Sequence, residues 1–401
     1  MERRLLIAAC MIGIVLTLPR PAAAATLLVD DDAVQCPGAQ WQSIQAAIAA
    51  AAVADTIEVC PGTYAEQVII DPDKSGLTLR ATMPGAATIR APEAPVNFGA
   101  LPIILVNGAR NVTIDGFIIQ GPLAIVLCSP TVLAGVMVER GGEVTVRRSV
   151  IGAIHPVDRS LDWCFRGYGI YAVATSSEPT TRVVVDESRI DSYLTGGVFV
   201  TGTGADATLE GNQIAGDGIV AGSVQFGIEI RAGAIAALVD NDIRLNSARA
   251  QTIDVAPDAA RATGISVVQT TGVRIERNRV SMNDHGIILA DATNATVRGN
   301  QVTDSAASGI AAFAGSRGNT FEGNSVRSTG SPPAAGTGTA GVTPDIFPGA
   351  DATSGGPARP QMVNPIDCVD FSTGAGTAGT ANQWRGNTGL TAIPAGICGG
   401  G

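Results

Sequence analysis

Three copies of one short unit fill residues 264–326, and the first reads Gly264-Ile265-Ser266-Val267, then Val273-Arg274-Ile275-Glu276-Arg277-Asn278. The glycine recurs at 286 and 309 and the asparagine at 300 and 324, so the period is 22 to 24 residues. That period is typical of solenoid repeats. Each copy holds two strands of alternating polarity and is too short to bury its own apolar side. The copies must therefore stack, which predicts an all-β solenoid.

The composition of the 401 residues agrees with a stack of tight coils. Glycine is abundant at 49 residues, while aromatic residues make up 4% and charged residues 15%, which suits a narrow aliphatic core. The formal net charge of −10 argues against nucleic acid as a partner, because a duplex binder needs a basic face. The same charge would repel a polyanionic glycan unless a cation bridged the two.

The first residues have the pattern of a secretory signal peptide. Arg3-Arg4 precede the apolar run Leu5 to Leu18, and the alanines at 22–25 provide an Ala-x-Ala cleavage site. The run is too short to predict a membrane span, and no later run is longer and as apolar. We therefore predict that residues 1–25 are a signal peptide and that the mature protein is secreted or periplasmic.

Six cysteines remain once Cys10 leaves with the signal peptide. An even number of cysteines in an exported chain indicates disulfides, and no zinc-type spacing is present, so no metal site is predicted. The cysteines form three sequence-local couples, which predicts the pairs Cys36–Cys60, Cys128–Cys164 and Cys368–Cys398.

Along the chain we predict an N-terminal cap with the first coils at 26–111 and the main coils at 112–327. A Gly/Ala/Thr/Pro-rich excursion at 328–380 and a last coil with a C-terminal cap at 381–401 follow. Trp41 to Val53 has helical spacing and is predicted to be a helix that covers the open end of the stack. Wider spacing between repeats predicts extra loops near 152–168 and 246–263, and such insertions commonly carry function.

The repeats and the leader together resemble a known family. The leader reads Ser43-Ile44-Gln45-Ala46-Ala47-Ile48, then Asp55-Thr56-Ile57, then Pro61-Gly62-Thr63-Tyr64-Ala65-Glu66. With the repeats from about 112 to 326, it resembles the right-handed parallel β-helix proteins of the pectate-lyase-like superfamily. That resemblance implies a right-handed parallel β-helix with an N-terminal capping helix. It does not imply one activity, because the superfamily includes lyases, hydrolases, esterases, epimerases and non-enzymes.

Asparagines recur at the bend after one strand of each repeat, at positions 212, 241, 278, 300, 324 and 387. A residue at such a bend must tolerate left-handed backbone and satisfy amide groups, and stacked copies would align into a ladder. We interpret these asparagines as structural.

The glycine-led strands predict a second feature on the outside of the stack. If the residue after the glycine points inward, the next residue points outward on each coil: Met137, Tyr171, Phe199, Glu229, Ser266, Ile288 and Ala311. Tyr171, Phe199 and Glu229, with Arg231 two residues on, would then form a sugar-stacking platform beside an acid and a base. The alternative is that the loop at 246–263 or the tail covers these rings.

The residues do not establish catalysis. Glu229 or Asp191 with Arg231 would serve an enzyme, and His285 follows a carboxylate and an amide, but the active-site motifs of the related enzymes are missing. We predict binding of an extracellular or envelope polysaccharide by a monomer. Cleavage, as a polysaccharide lyase or glycoside hydrolase, is left open. A non-catalytic surface or envelope role and a helper role in export or metal handling are also left open. No cofactor is required by the sequence, and calcium is left open for the case that the protein is a lyase.

Overall fold

The structure is a computed structural model that describes residues 24–125, 128, 131–220, 224–248, 262–313, 315–328 and 365–399. Three parallel sheets run along it, and each coil between Thr56 and Asp370 adds one strand to each sheet. The predicted parallel β-helix is therefore confirmed. The predicted signal peptide lies outside the described residues except for its last two positions.

The strands of each sheet follow one another in chain order. Among the described residues, sheet 1 consists of Thr26–Val29, Thr56–Val59, Thr78–Ala81, Val112–Asp115, Glu143–Arg147, Thr181–Asp186, Ala205–Glu210, Ile235–Val239, Arg274–Glu276, Thr296–Arg298, Thr320–Glu322 and Gln383–Arg385. Sheet 2 consists, in the same described part, of Gly62–Ala65, Ala87–Arg90, Phe117–Gln120, Val150–Gly152, Arg189–Asp191, Gln213–Val220, Asp242–Ala248, Arg279–Ser281, Gln301–Thr303 and Ser325–Arg327. Sheet 3, which includes the glycine-led strands, consists in the described residues of Val68–Ile70, Ala100–Asn107, Val132–Glu139, Arg166–Val173, Gly196–Thr201, Phe226–Arg231, Thr263–Val268, His285–Ala290, Ser308–Ala312, Ile366–Asp370 and Ala392–Ile393.

The predicted N-terminal helix is present but shorter than its pattern indicated, spanning Ile44–Ala50. Its start is fixed by Glu66, whose carboxylate accepts hydrogen bonds from the Ser43 hydroxyl at 2.7 Å and from the Ile44 backbone N–H at 2.8 Å. The side chains of Ile44 and Ile48 are buried in the main core. That the helix covers the open end of the stack stays a prediction.

The asparagine ladder is present inside the bend between sheets 1 and 2. Asn278, for example, accepts a hydrogen bond from the Asn241 backbone N–H at 3.0 Å, and its amide nitrogen donates to the Leu238 carbonyl at 2.8 Å. The left-handed residue, however, is the one before the asparagine, as at Arg277, where φ is 55°. The asparagine is therefore needed for its amide group and not, as expected, for its backbone conformation.

The three predicted disulfides, Cys36–Cys60, Cys128–Cys164 and Cys368–Cys398, are all formed. Of the predicted excursion at 328–380, residues 329–364 lie outside the described residues. The stack resumes at Ile366–Asp370, which pairs with Ser308–Ala312, earlier than the expected start of the last coil at 381. In the described part of the chain, no helix has the length and apolar character needed to cross a membrane.

Candidate functional site

The outer face of sheet 3 carries the side chains that the glycine-led pattern singled out. Each is paired in register with the next along the sheet, and we call this line of positions the outward row. In coil order it contains Leu105, Met137, Tyr171, Phe199, Glu229, Ser266, Ile288, Ala311 and Val369. The flanking residues, such as Ile287 and Leu289, belong to the main core, whereas Ile288 packs in a separate cluster outside it, which confirms the predicted alternation of inward and outward positions.

Three aromatic rings meet in the middle of the outward row. Tyr171 and Phe199 stack with ring centroids 5.5 Å apart and planes inclined by 9°. Tyr168 joins them, with its centroid 5.5 Å from Tyr171 and 4.9 Å from Phe199. We call Tyr168, Tyr171 and Phe199 the aromatic cluster.

Tyr168 was missed from the sequence because it lies before the glycine that begins the alternating pattern. Its ring fits over Gly196, where an added Cβ would lie 3.0 Å from the Tyr168 Cδ1 atom. The doubled glycine Gly196-Gly197 was the signal that could have indicated a ring packed on the neighbouring strand.

The rings of the aromatic cluster differ in their exposure. Phe199 is only 8% exposed and Tyr168 is also buried, while Tyr171 is half-buried. The sequence predicted two exposed rings, Tyr171 and Phe199, but of these two only Tyr171 is partly exposed. Phe199 is buried and packs against Tyr171 from the neighbouring coil; that the loop at 246–263 or the tail covers the rings stays a prediction.

Glu229 follows Phe199 in the outward row and forms an ion pair with Arg231. Its Oε1 atom lies 3.2 Å from the Arg231 Nη1 atom. Glu229 is 7% exposed, and this burial raises the pKa of its carboxyl group, although Arg231 and Arg166 both favour the charged form. Burial also raises the pKa of Tyr168, and the nearby Glu229 charge adds to that effect. Functional sites often contain a buried acid with a perturbed pKa next to a partly exposed arginine, as Glu229 and Arg231 are here.

The other two residues considered for catalysis lie apart from Glu229. Asp191 is on sheet 2, where its carboxylate lies 2.5 Å from the Arg189 Nε atom. His285 is buried on sheet 3, with its Nδ1 atom 2.6 Å from the Ser308 hydroxyl oxygen. The strand Thr263–Val268 separates the His285 strand from the Glu229 strand. At about 4.8 Å per strand, the two backbones are roughly 10 Å apart.

The extra loop predicted at 152–168 contains a 3-10 turn, Arg159–Cys164, which runs into the strand Arg166–Val173. The Cys128–Cys164 disulfide ties this turn to the connection that precedes Val132–Glu139. The other predicted loop, 246–263, lies outside the described residues between 249 and 261. Only the first loop can therefore be placed beside the aromatic cluster.

One group of carboxylates has the spacing to hold a cation. Asp30, Asp31 and Asp32, which follow the first strand of sheet 1, offer oxygens within 4.8 Å of one another. These carboxylates already accept backbone N–H hydrogen bonds, from Cys36 to Asp30 at 2.6 Å and from Thr63 to Asp31 at 3.1 Å. The group therefore has a structural use as it stands.

Comparison with known proteins agrees with this fold. The family described as "Right handed beta helix region" matches residues 168–343, and the three parallel sheets show the chain to be a parallel β-helix repeat protein. No curated protein sequence matches the chain.

Solved structures resemble the chain in fold alone. The A-module of mannuronan C-5 epimerase AlgE6 from Azotobacter vinelandii has 15% identity and a TM-score of 0.48, over 87% of this chain and 90% of that one. The catalytic unit of a GH87 alpha-1,3-glucanase from Streptomyces thermodiastaticus has 15% identity and a TM-score of 0.44, over 93% and 70%. PfbA, a surface adhesin of Streptococcus pneumoniae, has 13% identity and a TM-score of 0.43, over 71% and 85%.

Proposed function

We propose that the protein is an exported binder of an extracellular or envelope polysaccharide, and that the glycan lies on the outer face of sheet 3 with one sugar ring against Tyr171. The observation that carries the proposal is the half-buried Tyr171 ring, stacked on Phe199 at 5.5 Å beside the Glu229–Arg231 pair.

The chemistry of these groups suits a sugar. An aromatic face packs against the C–H groups of a pyranose ring, while a carboxylate and a guanidinium accept and donate hydrogen bonds to its hydroxyls. Phe199 and Tyr168 hold the Tyr171 ring in place, so little side-chain entropy is lost when a ligand packs on it. Because the chain carries a net charge of −10, the favoured ligand is a neutral glycan or one bridged through a cation.

The proposal is for binding without cleavage. Glycoside hydrolysis uses two carboxyl groups on opposite sides of the scissile bond, about 5 to 9.5 Å apart. Glu229 is one acid of suitable character, since its pKa is raised, but Asp191 is on another sheet and His285 lies beyond the next strand. These candidates supply no second group that faces the same bond.

Affinity electrophoresis of the purified protein through a panel of immobilised polysaccharides tests the proposal. We expect at least one polysaccharide to retard the wild type, and Tyr171→Ala to weaken that interaction about tenfold, the loss of one aromatic contact. Leu390→Ala is the matched control, because it removes an exposed apolar side chain far along the stack. Equal retardation of Tyr171→Ala and wild type, or no retardation by any polysaccharide, would overturn the proposal.

The same mixtures should be assayed for reducing ends and for unsaturated products. We expect neither to accumulate. Release of either product would show that the protein cleaves the glycan, and Glu229→Gln would then identify whether that carboxyl group takes part.

A further inference from the structure

Trp163 differs from the other tryptophans of the chain in being open to solvent. Its side chain is 72% exposed. Trp384 is buried and stacks on Phe321 with ring centroids 3.9 Å apart, and Trp41 packs against the main core. A single exposed apolar side chain is common on protein surfaces, so the case for Trp163 depends on how its turn is held and on where that turn leads.

The turn that carries Trp163 is held firmly at both ends. The Asp158 carboxylate accepts the Ser160 backbone N–H at 2.9 Å at its start, and the Arg159 Nε atom lies 2.7 Å from the Asp162 Oδ2 atom. Asp162 and Cys164, the two neighbours of Trp163, are both buried, and Cys164 is bonded to Cys128. The exposed ring is therefore presented from an anchored position.

The turn leads directly into the strand of the aromatic cluster. Cys164 is followed by Arg166–Val173, which begins with the exposed Arg166 and carries Tyr168 and Tyr171. At about 3.3 Å per residue, the strand advances roughly 17 Å between positions 166 and 171. That span is longer than one sugar ring, so a ligand that reaches from the turn to Tyr171 must be a chain of several sugar units.

We propose that Trp163 is a second stacking site for the same glycan, binding a different sugar unit from the one at Tyr171. This inference rests on the proposed function. The glycan then runs along the strand direction at this coil, from the anchored turn, past the Arg166 guanidinium, to the aromatic cluster. An exposed ring on a fixed turn gives up little conformational freedom when a sugar stacks on it.

The test uses oligosaccharides of increasing length, prepared from the polysaccharide that retards the wild type most. Trp163→Ala should weaken binding of the longest oligosaccharides roughly tenfold, as expected for one aromatic contact, and leave the binding of the shortest unchanged. Trp163→Phe should restore most of the loss, because it returns a stacking face. Tyr171→Ala, in contrast, should weaken the binding of every length.

Acrylamide quenching of tryptophan fluorescence gives a second readout on the folded wild type. Long oligosaccharides should protect the exposed Trp163 from the quencher, and short ones should not. If Trp163→Ala binds every length like the wild type while Tyr171→Ala does not, the inference fails and the proposed function stands. A loss that is the same at every length, accompanied by a lower melting temperature, also overturns it. If no oligosaccharide binds the wild type, both fail.

Discussion

The inward and outward rows of sheet 3 belong to the same strands but follow different rules. The inward positions are aliphatic on seven successive coils and all fully buried: Val136, Ile170, Val198, Ile228, Ile265, Ile287 and Ile310. The outward row changes along the sheet, from Leu105 and Met137 to the aromatic cluster and Glu229, and then to Ile288 and Ala311.

The reason for this difference is packing. An inward side chain contacts the coils above and below and the two other sheets, so only one size and polarity fits at every level. An outward side chain packs against whatever covers the sheet at its own coil, as Ile288 does in a cluster with Ala307 and Phe313, so its identity can vary from coil to coil. The outward row is aliphatic at Leu105 and Met137 and again from Ile288 onward, and between them it carries Tyr171, Phe199, Glu229 and Ser266. The proposed site is placed in this middle part because it combines an aromatic ring with a charged pair.

The largest expected effect comes from breaking the inward row. Ile287→Asp places an unpaired charge among fully buried aliphatic side chains and should lower the free energy of unfolding by about 4 kcal/mol or more. Thr296→Asp, at a half-buried position on sheet 1, should change it by about 0.5 kcal/mol. Differential scanning calorimetry on both variants makes the comparison, and equal shifts in melting temperature would mean that the assigned directions are wrong.

Replacing one phenylalanine inside the stack and one on its outer face compares how much each contributes to the free energy of unfolding. Phe321 is fully buried between coils, stacked on Trp384, and Phe321→Ala should cost about 3 to 5 kcal/mol. Phe199→Ala should cost less, about 2 kcal/mol, because Tyr168 and Tyr171 can move into the space from outside. Urea unfolding midpoints provide the measurement. A Phe199→Ala variant as unstable as Phe321→Ala would mean that the outer face is packed as tightly as the core.

The asparagine ladder should be intermediate in its effect. Asn278→Ala leaves the buried Asn241 N–H and the Leu238 carbonyl without their partner, which should cost about 2 to 3 kcal/mol. Gln301→Ala is the control on the exposed side of sheet 2 and should change stability by about 0.5 kcal/mol. If the thermal unfolding curves of the two variants coincide, water satisfies the groups that the ladder was expected to pair.

The smallest effect is a change in pH dependence at Glu229. Because burial raises the pKa of this carboxyl group, the folded protein holds the proton to a higher pH than the unfolded chain does. The free energy of unfolding should therefore fall as the pH rises from the ordinary glutamate value through the raised one. Glu229→Gln removes this fall, so the melting temperature of the variant relative to the wild type should rise as the pH increases above the ordinary glutamate value of about 4.3. Parallel melting curves across this range would contradict a raised pKa.

Much of the fold could be predicted from local features of the sequence. The repeat of 22 to 24 residues and the period-two alternation predicted the stacked coils and the direction of each outward side chain, and the cysteine couples predicted all three disulfides. The N-terminal helix was expected to be longer because alanine spacing continues past it. Glu66, which is distant in sequence, sets where it begins.

Only part of the candidate site could be predicted from the sequence. Tyr171, Phe199, Glu229 and Arg231 could be placed on neighbouring coils, but Tyr168 and Trp163 fall outside the repeating pattern and gave no periodic signal. The sequence determined which residues share a row, because the rise and alternation of β-strands are constant. Only the tertiary structure decided which of them are covered: Phe199 is buried and Tyr171 half-buried at equivalent positions, since burial depends on what surrounds each residue in space and not on its place in the repeat.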